Sequence, residues 1–339
     1  MERSVVAPLS TVVQNSNSDR RDVNDVRHIV TGHIERVAIL LCTFNGERFL
    51  AQQLESIARQ TYSNWFVVVS DDGSTDSTLD LLHEYAERWG NDKLSVRQGP
   101  GRGYAANFLA VTCDDSIESD FYAWSDQDDI WQENKLESAL QLLREVPTHT
   151  PSLYCGRTAL IDAYGANIGL SPLFARPVGF ANALVQSVGG GNTMVFNHAA
   201  RKLFQQAGPS LDIVSHDWWA YLLVSGSGGR VSYDTCPTIL YRQHDANLIG
   251  SISGVRAQLK RVRMLFRGRF RGWNQKNIAA LESIRLQLNE ESRKRLDLFQ
   301  RARSSRGLAR IIWLRRSGVY RQSLWGNFGL VLAALFNGI

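Results

Sequence analysis

A short acidic segment directly after an apolar run is the part of the sequence best suited to chemistry. Residues Phe121–Ser125 have the apolar character of a buried strand, and Asp126, Asp128 and Asp129 follow within four residues. Carboxylates this close repel one another, so a folded protein seldom gathers them without a cation. Oxygen ligands of this kind suit Mg²⁺ or Mn²⁺, and an ion held there can bind a diphosphate in turn.

A second pair of acids, Asp71 and Asp72, follows the apolar run 65–69. The residues after them, at 74–76, are typical of the start of a helix, where Asp, Ser and Thr side chains accept hydrogen bonds from free amides. A carboxylate at the mouth of a buried strand can also accept a base N–H or a ribose hydroxyl. The residues alone leave both interpretations open.

Two later residues could complete such a site. His244 follows a predicted strand, and a neutral imidazole there could join a metal site that already holds carboxylates, although a lone histidine is often structural. Asp217 precedes Trp218 and Trp219. It can serve as a helix N-cap, or as a general base whose pKa is raised by apolar neighbours. Flat indole faces also suit sugar rings.

Apolar periodicity indicates the elements that must position these residues. Strands are predicted at 37–41, 65–69, 94–97 and 121–125, alternating with helices at 49–58, 79–89, 104–111 and 136–143. This alternation with short links is typical of an α/β fold with a mostly parallel sheet and helices on both faces. Ligands of such sheets bind beyond the carboxyl ends of the strands, so both acidic clusters should share one crevice.

After residue 152 the pattern is less regular. Strands are predicted at 193–197, 231–233 and 238–241, and a helix is predicted to begin at 215. The four cysteines, at positions 42, 113, 155 and 236, include no Cys-x-x-Cys pair. They predict neither a zinc site nor a disulfide framework, and they fit a reducing cytosol.

The formal net charge of +5 conceals an uneven distribution. Of the 38 Lys and Arg residues, 19 lie at 255–339, together with only 4 of the 33 Asp and Glu residues. That segment therefore carries +15 and the rest of the chain −10. An acidic body with a basic tail predicts different partners for the two parts.

The basic tail mixes arginines with large apolar residues, and its apolar end, 323–336, is short of the about 20 residues that a membrane span needs. Basic amphipathic helices with aromatic residues bind anionic membrane surfaces, which predicts a membrane contact. The alternatives are packing on the rest of the chain or on a second subunit, or nucleic-acid binding through the same arginines. A nucleic-acid-binding protein would not need the acidic crevice.

Five motifs, in this order, resemble those of the family 2 glycosyltransferases of bacteria, in particular rhamnosyltransferase-like members that build surface polysaccharides such as O-antigen. The resemblance covers residues 37–250. Each motif is weakly specific alone, whereas five in order are strongly specific. They are Leu-Cys-Thr-Phe-Asn-Gly (41–46), Ser-Asp-Asp-Gly-Ser-Thr-Asp (70–76), Ser-Asp-Gln-Asp-Asp-Ile-Trp (125–131), His-Asp-Trp-Trp (216–219) and Tyr-Arg-Gln-His (241–244).

The resemblance implies a GT-A fold and residues for the donor. Thr43, Asn45 and Asp71 would hold the nucleotide, with Asp72 as a near neighbour. Asp126 and Asp128 match the Asp-x-Asp pair of the family, in which the second acid touches a metal ion. The first acid meets the ribose or a metal-bound water.

The resemblance also implies a catalytic base and an acceptor side. Asp217 matches the base of an inverting transfer, and His244 matches a late histidine that closes on the metal or the diphosphate. Residues 189–192 would line the acceptor side. The chain lacks the Gln-x-x-Arg-Trp motif of polymerising members, which favours the addition of one sugar per encounter.

The resemblance divides the chain into three predicted segments. Residues 1–35 lack the apolar core of a signal peptide and are expected to be disordered. Residues 36–250 form the GT-A domain, with a nucleotide-sugar half at 36–130 and an acceptor half at 131–250. Residues 251–339 form the basic amphipathic helical extension.

The implied function is a metal-dependent transfer of one sugar from a nucleotide-diphosphate donor, such as dTDP-rhamnose, to a glycan or polyprenyl-diphosphate-linked acceptor. The implied location is the inner face of the bacterial cytoplasmic membrane, and a homo-oligomer is compatible with it. No nucleic-acid partner is expected. The alternatives are a sugar nucleotidyltransferase, whose Gly-rich basic loop is missing after residue 41, and a basic binding protein without catalysis.

Overall fold

Two β-sheets organise the chain in a computed structural model, which describes residues 34–244, 269–336 and 338–339. Residues 1–33 of the segment predicted to be disordered (1–35) lie outside these described residues, as do residues 245–268, which contain the predicted boundary between 250 and 251. The domain boundaries drawn from the sequence therefore stay predictions.

The larger sheet has seven strands in the order β10-β6-β9-β4-β1-β2-β3. Its strand pairs are parallel except at β9, which runs antiparallel to both β4 and β6. The strands are β1 (Val37–Thr43), β2 (Trp65–Asp71), β3 (Leu94–Gln98), β4 (Phe121–Ser125), β6 (Ser152–Gly156), β9 (Val195–Asn197) and β10 (Arg230–Asp234).

The smaller sheet has four strands in the order β5-β11-β7-β8. Its central strand β11 pairs antiparallel with β5 and parallel with β7. The pairing brings the residues after β11 back beside the acidic loop that precedes β5. The strands are β5 (Ile130–Trp131), β7 (Ala159–Ile161), β8 (Asn167–Leu170) and β11 (Ile239–Arg242).

Helices cover the sheets and continue into the C-terminal part. They are α1 (Leu50–Ala58), α2 (Thr78–Trp89), α3 (Tyr104–Cys113), α4 (Lys135–Leu143), α5 (Phe180–Ala183), α6 (His198–Ala207), α7 (His216–Gly226), α8 (Arg269–Ser283), α9 (Glu290–Ser304), α10 (Gly307–Ser317) and α11 (Leu324–Leu335). Short 3₁₀ turns occupy Gly191–Thr193 and Arg285–Gln287.

Strand β1 shows why its sequence is continuously apolar. All seven of its residues are buried. Side chains alternate across a strand, so Leu40 joins the core on one face of the sheet and Ile39 joins the core on the other. A strand covered on both faces needs apolar residues at every position.

The C-terminal helices share a core with the α/β part of the chain. Phe270 of α8, Phe299 of α9 and Leu314 of α10 belong to the same buried cluster as Trp219 of α7. The ring centroids of Trp218 and Trp273 lie 6.2 Å apart in an edge-to-face contact. The described part of the extension is therefore packed on the catalytic part, which was one of the arrangements expected for the tail.

These observations confirm the expected GT-A-type α/β fold with C-terminal helices. The predicted strands and helices before residue 150 are all present, as are those that contain residues 216–219, 231–233 and 239–241. The strand predicted at 193–197 is in part a 3₁₀ turn, because Gly191–Thr193 closes a tight loop before β9. Helix α6 and strands β5 to β8 were not predicted. These four strands have two to five residues, which is too short to show a period, whereas α6 has ten residues and its apolar face was missed.

Candidate active site

The carboxyl ends of β1, β2 and β4 form one edge of the larger sheet, and the predicted donor residues lie there. Thr43 and Asp71 end adjacent strands and are register partners. The side chain of Gln127 joins the acidic loop to the loop after β1. Its Oε1 accepts a hydrogen bond from the Phe44 amide at 2.8 Å, and its Nε2 donates to the Phe44 carbonyl at 3.0 Å. The acidic loop and the loop after β1 therefore lie side by side.

The buried carboxylate of Asp71 organises the loop after β2. It accepts hydrogen bonds from the hydroxyls of Thr43 at 2.7 Å and Ser74 at 2.6 Å. It also accepts from the backbone amides of Gly73 at 3.1 Å and Ser74 at 2.8 Å. Four protein donors therefore surround a side chain that the sequence assigned to the nucleotide.

Replacing Asp71 by alanine should weaken the binding of a nucleoside diphosphate. The change removes the acceptor of four donors and lets the loop relax, and a lost hydrogen bond to a charged group costs about 1.5–3 kcal/mol. We expect roughly a tenfold rise in Kd, which corresponds to about 1.4 kcal/mol. Isothermal titration with dTDP and UDP measures it. Asp114→Ala, which removes the acceptor of the Ser116 amide and hydroxyl just after α3, away from these loops, is the matched control and should keep the affinity.

Asn45 and Asp72 brace the loops on either side of Asp71. Asn45 adopts a left-handed backbone conformation with φ 49°, which Asn tolerates better than most residues. Its side-chain oxygen accepts a hydrogen bond from the Thr75 amide at 2.8 Å. The carboxylate of Asp72 accepts from the amides of Gly101 and Gly103 at 2.7 Å each. Asn45 and Asp72, both predicted to bind the sugar-nucleotide donor, therefore hold the backbone of loops at this edge of the sheet.

The acidic loop places Asp128 against His244, with Oδ2 and Nε2 2.8 Å apart. Asp126 lies close to Asp128 and Asp129, and burial together with these negative charges raises its pKa well above the usual value. Among residues 34–244, 269–336 and 338–339, no group of three or more His, Cys, Asp or Glu side chains has the geometry of a metal site. Of the three residues predicted to bind the metal ion, Asp128 and His244 are therefore in contact, and Asp126 lies nearby.

The chemistry of this donor set fits a divalent cation. A carboxylate and an imidazole share one hydrogen bond at Asp128 and His244, and both are ligand types for Mn²⁺ or Mg²⁺. A cation beside them would also relieve the repulsion that raises the pKa of Asp126.

Asp217 lies in the first turn of α7 and faces the same region. Its Oδ1 accepts a hydrogen bond from the Trp218 amide at 2.8 Å. Burial raises the pKa of Asp217 above that of an ordinary aspartate. Its charge interacts with Asp126 and with the hydroxyl of Tyr104, whose pKa is raised to about 12 mainly by burial. The predicted base therefore lies close enough to the acidic loop for its charge to act on Asp126.

His216 fixes the start of α7 without any hydrogen bond from its ring. It is stacked on Phe108 with the centroids 3.9 Å apart, and both ring nitrogens are buried without a hydrogen-bond partner in the part of the chain that the structure describes. Burial lowers its pKa to about 3, so the ring is neutral. A Cβ atom on Gly191 would lie 2.0 Å from its Nε2. Position 191, in the predicted acceptor loop, therefore requires glycine, because the loop passes directly over the ring of His216, which precedes the predicted base Asp217.

Sequence reasoning missed the role of Asp129, the acid after the Asp-x-Asp pair. Asp129 is fully buried, with one oxygen accepting from the side chain of Asn192 at 2.5 Å and the other from the backbone amide of Arg242 at 3.1 Å. Burial raises its pKa to about 8. It thus joins the acidic loop to the predicted acceptor loop and to β11. Its adjacency to Asp128 is the one signal in the sequence that could have indicated this.

The fold therefore places the acidic loops at the carboxyl edge of the sheet, where ligands of α/β folds bind. Residues 38–174 match the profile of the family described as Glycosyl transferase family 2. This match confirms the resemblance seen in the motifs.

Two curated relatives illustrate the similarity. The chain is 29% identical over 240 residues to the dTDP-rhamnosyl transferase RfbG of Shigella flexneri, an alignment that covers 66% of this chain and 78% of that protein. It is 32% identical over 107 residues to the UDP-Glc:alpha-D-GlcNAc-diphosphoundecaprenol beta-1,3-glucosyltransferase WfgD of Escherichia coli. That alignment covers 32% of this chain and 40% of WfgD.

Solved structures with some similarity include S. aureus TarS 1–349 in complex with UDP-GlcNAc. It has 16% identity and a TM-score of 0.49, and covers 84% of this chain and 93% of TarS. The mannosyltransferase PcManGT of Pyrobaculum calidifontis in complex with GDP-Man and Mn²⁺ has 17% identity and a TM-score of 0.48. The match covers 89% of this chain and 86% of PcManGT. Within the described residues, no helix combines the length and the apolar character needed to cross a bilayer.

Proposed function

We propose that the protein is an inverting, metal-dependent glycosyltransferase that moves one sugar per encounter from a nucleotide-diphosphate donor to a hydroxyl of a glycan or lipid-linked acceptor. The observation that carries this proposal is the contact between Asp128 and His244 at 2.8 Å, beside the loops after β1 and β2 at the carboxyl edge of the larger sheet. It supports a crevice that holds a donor-binding loop and a metal site, and the charge of Asp217 acts on Asp126 there.

Asp217 is the proposed catalytic base. Its carboxylate takes the proton of the acceptor hydroxyl as that oxygen forms a bond to the anomeric carbon. The bond from the anomeric carbon to the diphosphate oxygen breaks, and the nucleoside diphosphate leaves with the electron pair. Attack from the side opposite the leaving group inverts the anomeric centre. The raised pKa of Asp217 makes it a stronger base than an ordinary aspartate.

The donor side is proposed to hold the nucleotide through Thr43, Asn45, Asp71 and Asp72, with Asp126 beside the ribose. The hydrogen bonds that these residues make within the loops support preformed binding. Preformed loops bind a ligand more tightly because less conformational freedom is lost.

The acidic loop is proposed to bind Mg²⁺ or Mn²⁺ through Asp126, Asp128 and His244. When bound, the ion would stabilise the negative charge that develops on the departing diphosphate. The contact between Asp128 and His244 supports this assignment.

The donor proposed first is dTDP-rhamnose, because RfbG is named as a dTDP-rhamnosyl transferase. A polyprenyl-diphosphate-linked glycan is the proposed acceptor, since WfgD is named for a diphosphoundecaprenol acceptor. Product analysis tests the reaction class. The enzyme is incubated with dTDP-rhamnose, UDP-glucose or GDP-mannose and a lipid-linked acceptor, and the released nucleotide is identified. Nucleoside diphosphate together with a glycosylated acceptor supports the proposal, whereas pyrophosphate indicates a nucleotidyltransferase.

The extension is proposed to hold the enzyme on the inner face of the cytoplasmic membrane through α11. Residues 322–339 contain no charged side chain. Exposed arginines lie at the end of the preceding helix, α10. Arg310 joins the two helices, since its side chain donates a hydrogen bond from α10 to the Ala334 carbonyl of α11 at 2.8 Å. One face of α11 is buried at Leu330, Ala333 and Ala334. A second face presents large apolar side chains to solvent. They are Leu324, Trp325, Phe328, Val331 and Leu335.

A lipid surface fits this second face better than another copy of the chain. A helix that is apolar all round is normally covered on both sides. In a symmetric dimer the two positively charged segments 255–339 would repel each other, whereas an anionic bilayer would attract each of them.

Replacing Trp325 and Phe328, which are 82% and 57% exposed, by serine should reduce membrane binding. We expect at least a tenfold loss of partitioning, because about 1.5–3 kcal/mol per large apolar side chain is no longer gained on burial. Sedimentation with phosphatidylglycerol vesicles measures it. Serine at the exposed Ile168 and Leu170 of β8 is the control. An unchanged bound fraction together with loss of a dimer on size-exclusion chromatography would assign the face to a second copy.

A further inference from the structure

Arg242 is a buried cation beside the acidic loop to which no role has yet been assigned. It is the last residue of β11 and only 1% exposed. Its Nε donates to the Asp128 carbonyl at 2.9 Å, its Nη1 to the Ala163 carbonyl at 3.3 Å and its Nη2 to Gln52 Oε1 at 2.5 Å. One guanidinium thus joins the acidic loop, the loop after β7 and helix α1.

The backbone of Arg242 is held as firmly as its side chain. Its amide donates to the buried carboxylate of Asp129 at 3.1 Å. Arg242 therefore contacts Asp128 and Asp129 through separate groups, the side chain at a carbonyl and the main chain at a carboxylate. The end of β11 cannot move relative to the acidic loop without breaking both contacts.

His244 follows Arg242 by two residues and depends on the same arrangement. The Phe49 ring lies between them, with its centroid 4.5 Å from the Arg242 guanidinium carbon and 5.1 Å from the centre of the His244 ring. The imidazole then meets the Asp128 carboxylate at 2.8 Å. Asp128 is therefore held at its carbonyl by Arg242 while its carboxylate meets His244.

Only an arginine can make these contacts together. The planar guanidinium carries donors in a fixed fork that reaches three acceptors at once, whereas a lysine ammonium is a single point on a flexible stem. Burying a cation is costly unless it is well hydrogen-bonded. Arg242 meets this cost with three side-chain acceptors, one of which is the carbonyl of Asp128, the residue whose carboxylate contacts His244.

We propose that Arg242 is a positioning residue that sets the Asp128–His244 pair at the separation a divalent cation requires. This inference rests on the proposed function, because it takes the pair as the metal site. In this role Arg242 acts through the Asp128 carbonyl and not as a metal ligand. Groups that orient metal ligands from behind commonly change metal affinity when they are altered.

Arg201 on α6 offers a matched control. It is also buried, at 2% exposed, and its Nε and Nη2 donate to the carbonyls of Thr112 at 2.9 Å and Asp114 at 2.5 Å. Its guanidinium carbon lies 4.8 Å from the centroid of the Tyr122 ring. Both Arg242→Lys and Arg201→Lys therefore remove hydrogen bonds from a buried guanidinium to backbone carbonyls, but only Arg242 lies at the acidic loop.

The test measures Mn²⁺ binding by electron paramagnetic resonance of the free ion, with melting temperature as a second readout. We expect Arg242→Lys to weaken Mn²⁺ binding roughly tenfold or more, as changes behind metal ligands commonly do. Arg201→Lys should lower the melting temperature by a similar amount and keep the wild-type affinity. Gln52→Ala, which removes only one exposed acceptor of the guanidinium, should fold normally and show a smaller loss in the same direction.

The outcomes separate this inference from the proposed function. If Asp128→Asn abolishes Mn²⁺ binding but Arg242→Lys and Gln52→Ala both bind like Arg201→Lys, Arg242 is structural only and the inference is wrong. If the wild-type protein binds no Mn²⁺, or Asp128→Asn does not affect binding, the proposed metal site fails and the inference fails with it. Release of nucleoside diphosphate still tests glycosyl transfer independently in that case.

Discussion

Replacement of Asp217 by asparagine should lower kcat by roughly 10³-fold, within the range that general-base catalysis contributes. The amide keeps the shape of the side chain and can still accept the hydrogen bond from Trp218, but it cannot take the proton of the acceptor hydroxyl. Initial rates of nucleoside diphosphate release at saturating donor and acceptor measure the effect. The Kd of dTDP or UDP should change by no more than a factor of about two, because Asp217 is not among the residues proposed to hold the nucleotide. A twofold change is well below the 1.4 kcal/mol that corresponds to a tenfold difference.

The melting temperature separates a lost base from a damaged fold. Burial raises the pKa of Asp217, so the ionised form costs stability above that pKa, and a neutral asparagine removes this cost. Asp217→Asn should therefore melt no lower than the wild type at neutral pH. Asp212→Asn alters an exposed aspartate that forms an ion pair with Lys276, and it should keep full activity. Substantial residual kcat in Asp217→Asn would remove Asp217 from its assigned role.

The same base predicts the acid side of the pH profile. Asp217 must be ionised to accept a proton, and its pKa lies above the ordinary aspartate value of 3.8. Activity should therefore fall as the pH decreases through this raised pKa. The profile of kcat/KM against pH measures it, and an acid limb at or below 3.8 would contradict the assignment.

Removal of divalent cations should abolish transfer, and Asp128→Asn should lower activity at least about 100-fold at limiting Mn²⁺. Asparagine keeps one oxygen but loses the charge that balances the ion, and its amide no longer pairs with His244 as the carboxylate does. Initial rates titrated with MnCl₂ after chelation measure both effects.

Two further results make the metal prediction specific. Excess Mn²⁺ should restore the chelated wild type fully and Asp128→Asn only partly. Asp115→Asn, which changes an exposed acid that accepts a hydrogen bond from Gln205, should require no more metal than the wild type. Full activity in excess chelator would overturn the metal-dependent mechanism.

The local patterns before residue 150 predicted the fold well because those elements are long enough to show a period. The seven residues of β1 are all buried, as a continuous apolar run predicts. After residue 150 the sheet depends on strands of three to five residues, such as β9 and β6, whose pairing joins residues far apart in the chain. Such short segments carry no periodicity of their own.

Some residues of the candidate site could likewise be predicted from the sequence, and others could not. The Asp-x-Asp pair, Asp217 and His244 were visible because their residue types are unusual beside apolar runs. Asp129 and Arg242 were not visible, since their roles arise from contacts with Asn192 and Asp128, which are 63 and 114 positions away. No local pattern reports a contact over such a separation.

The sequence alone indicated the family resemblance, the order of the early strands and helices, and the acids proposed to bind a donor or remove a proton, because these depend on residue type and spacing. Only the tertiary structure decided that Asp71 is enclosed by four protein donors, that His244 meets Asp128, and that the C-terminal helices share a core with α7. Those facts depend on which distant surfaces pack together, and packing is a property of the whole folded chain.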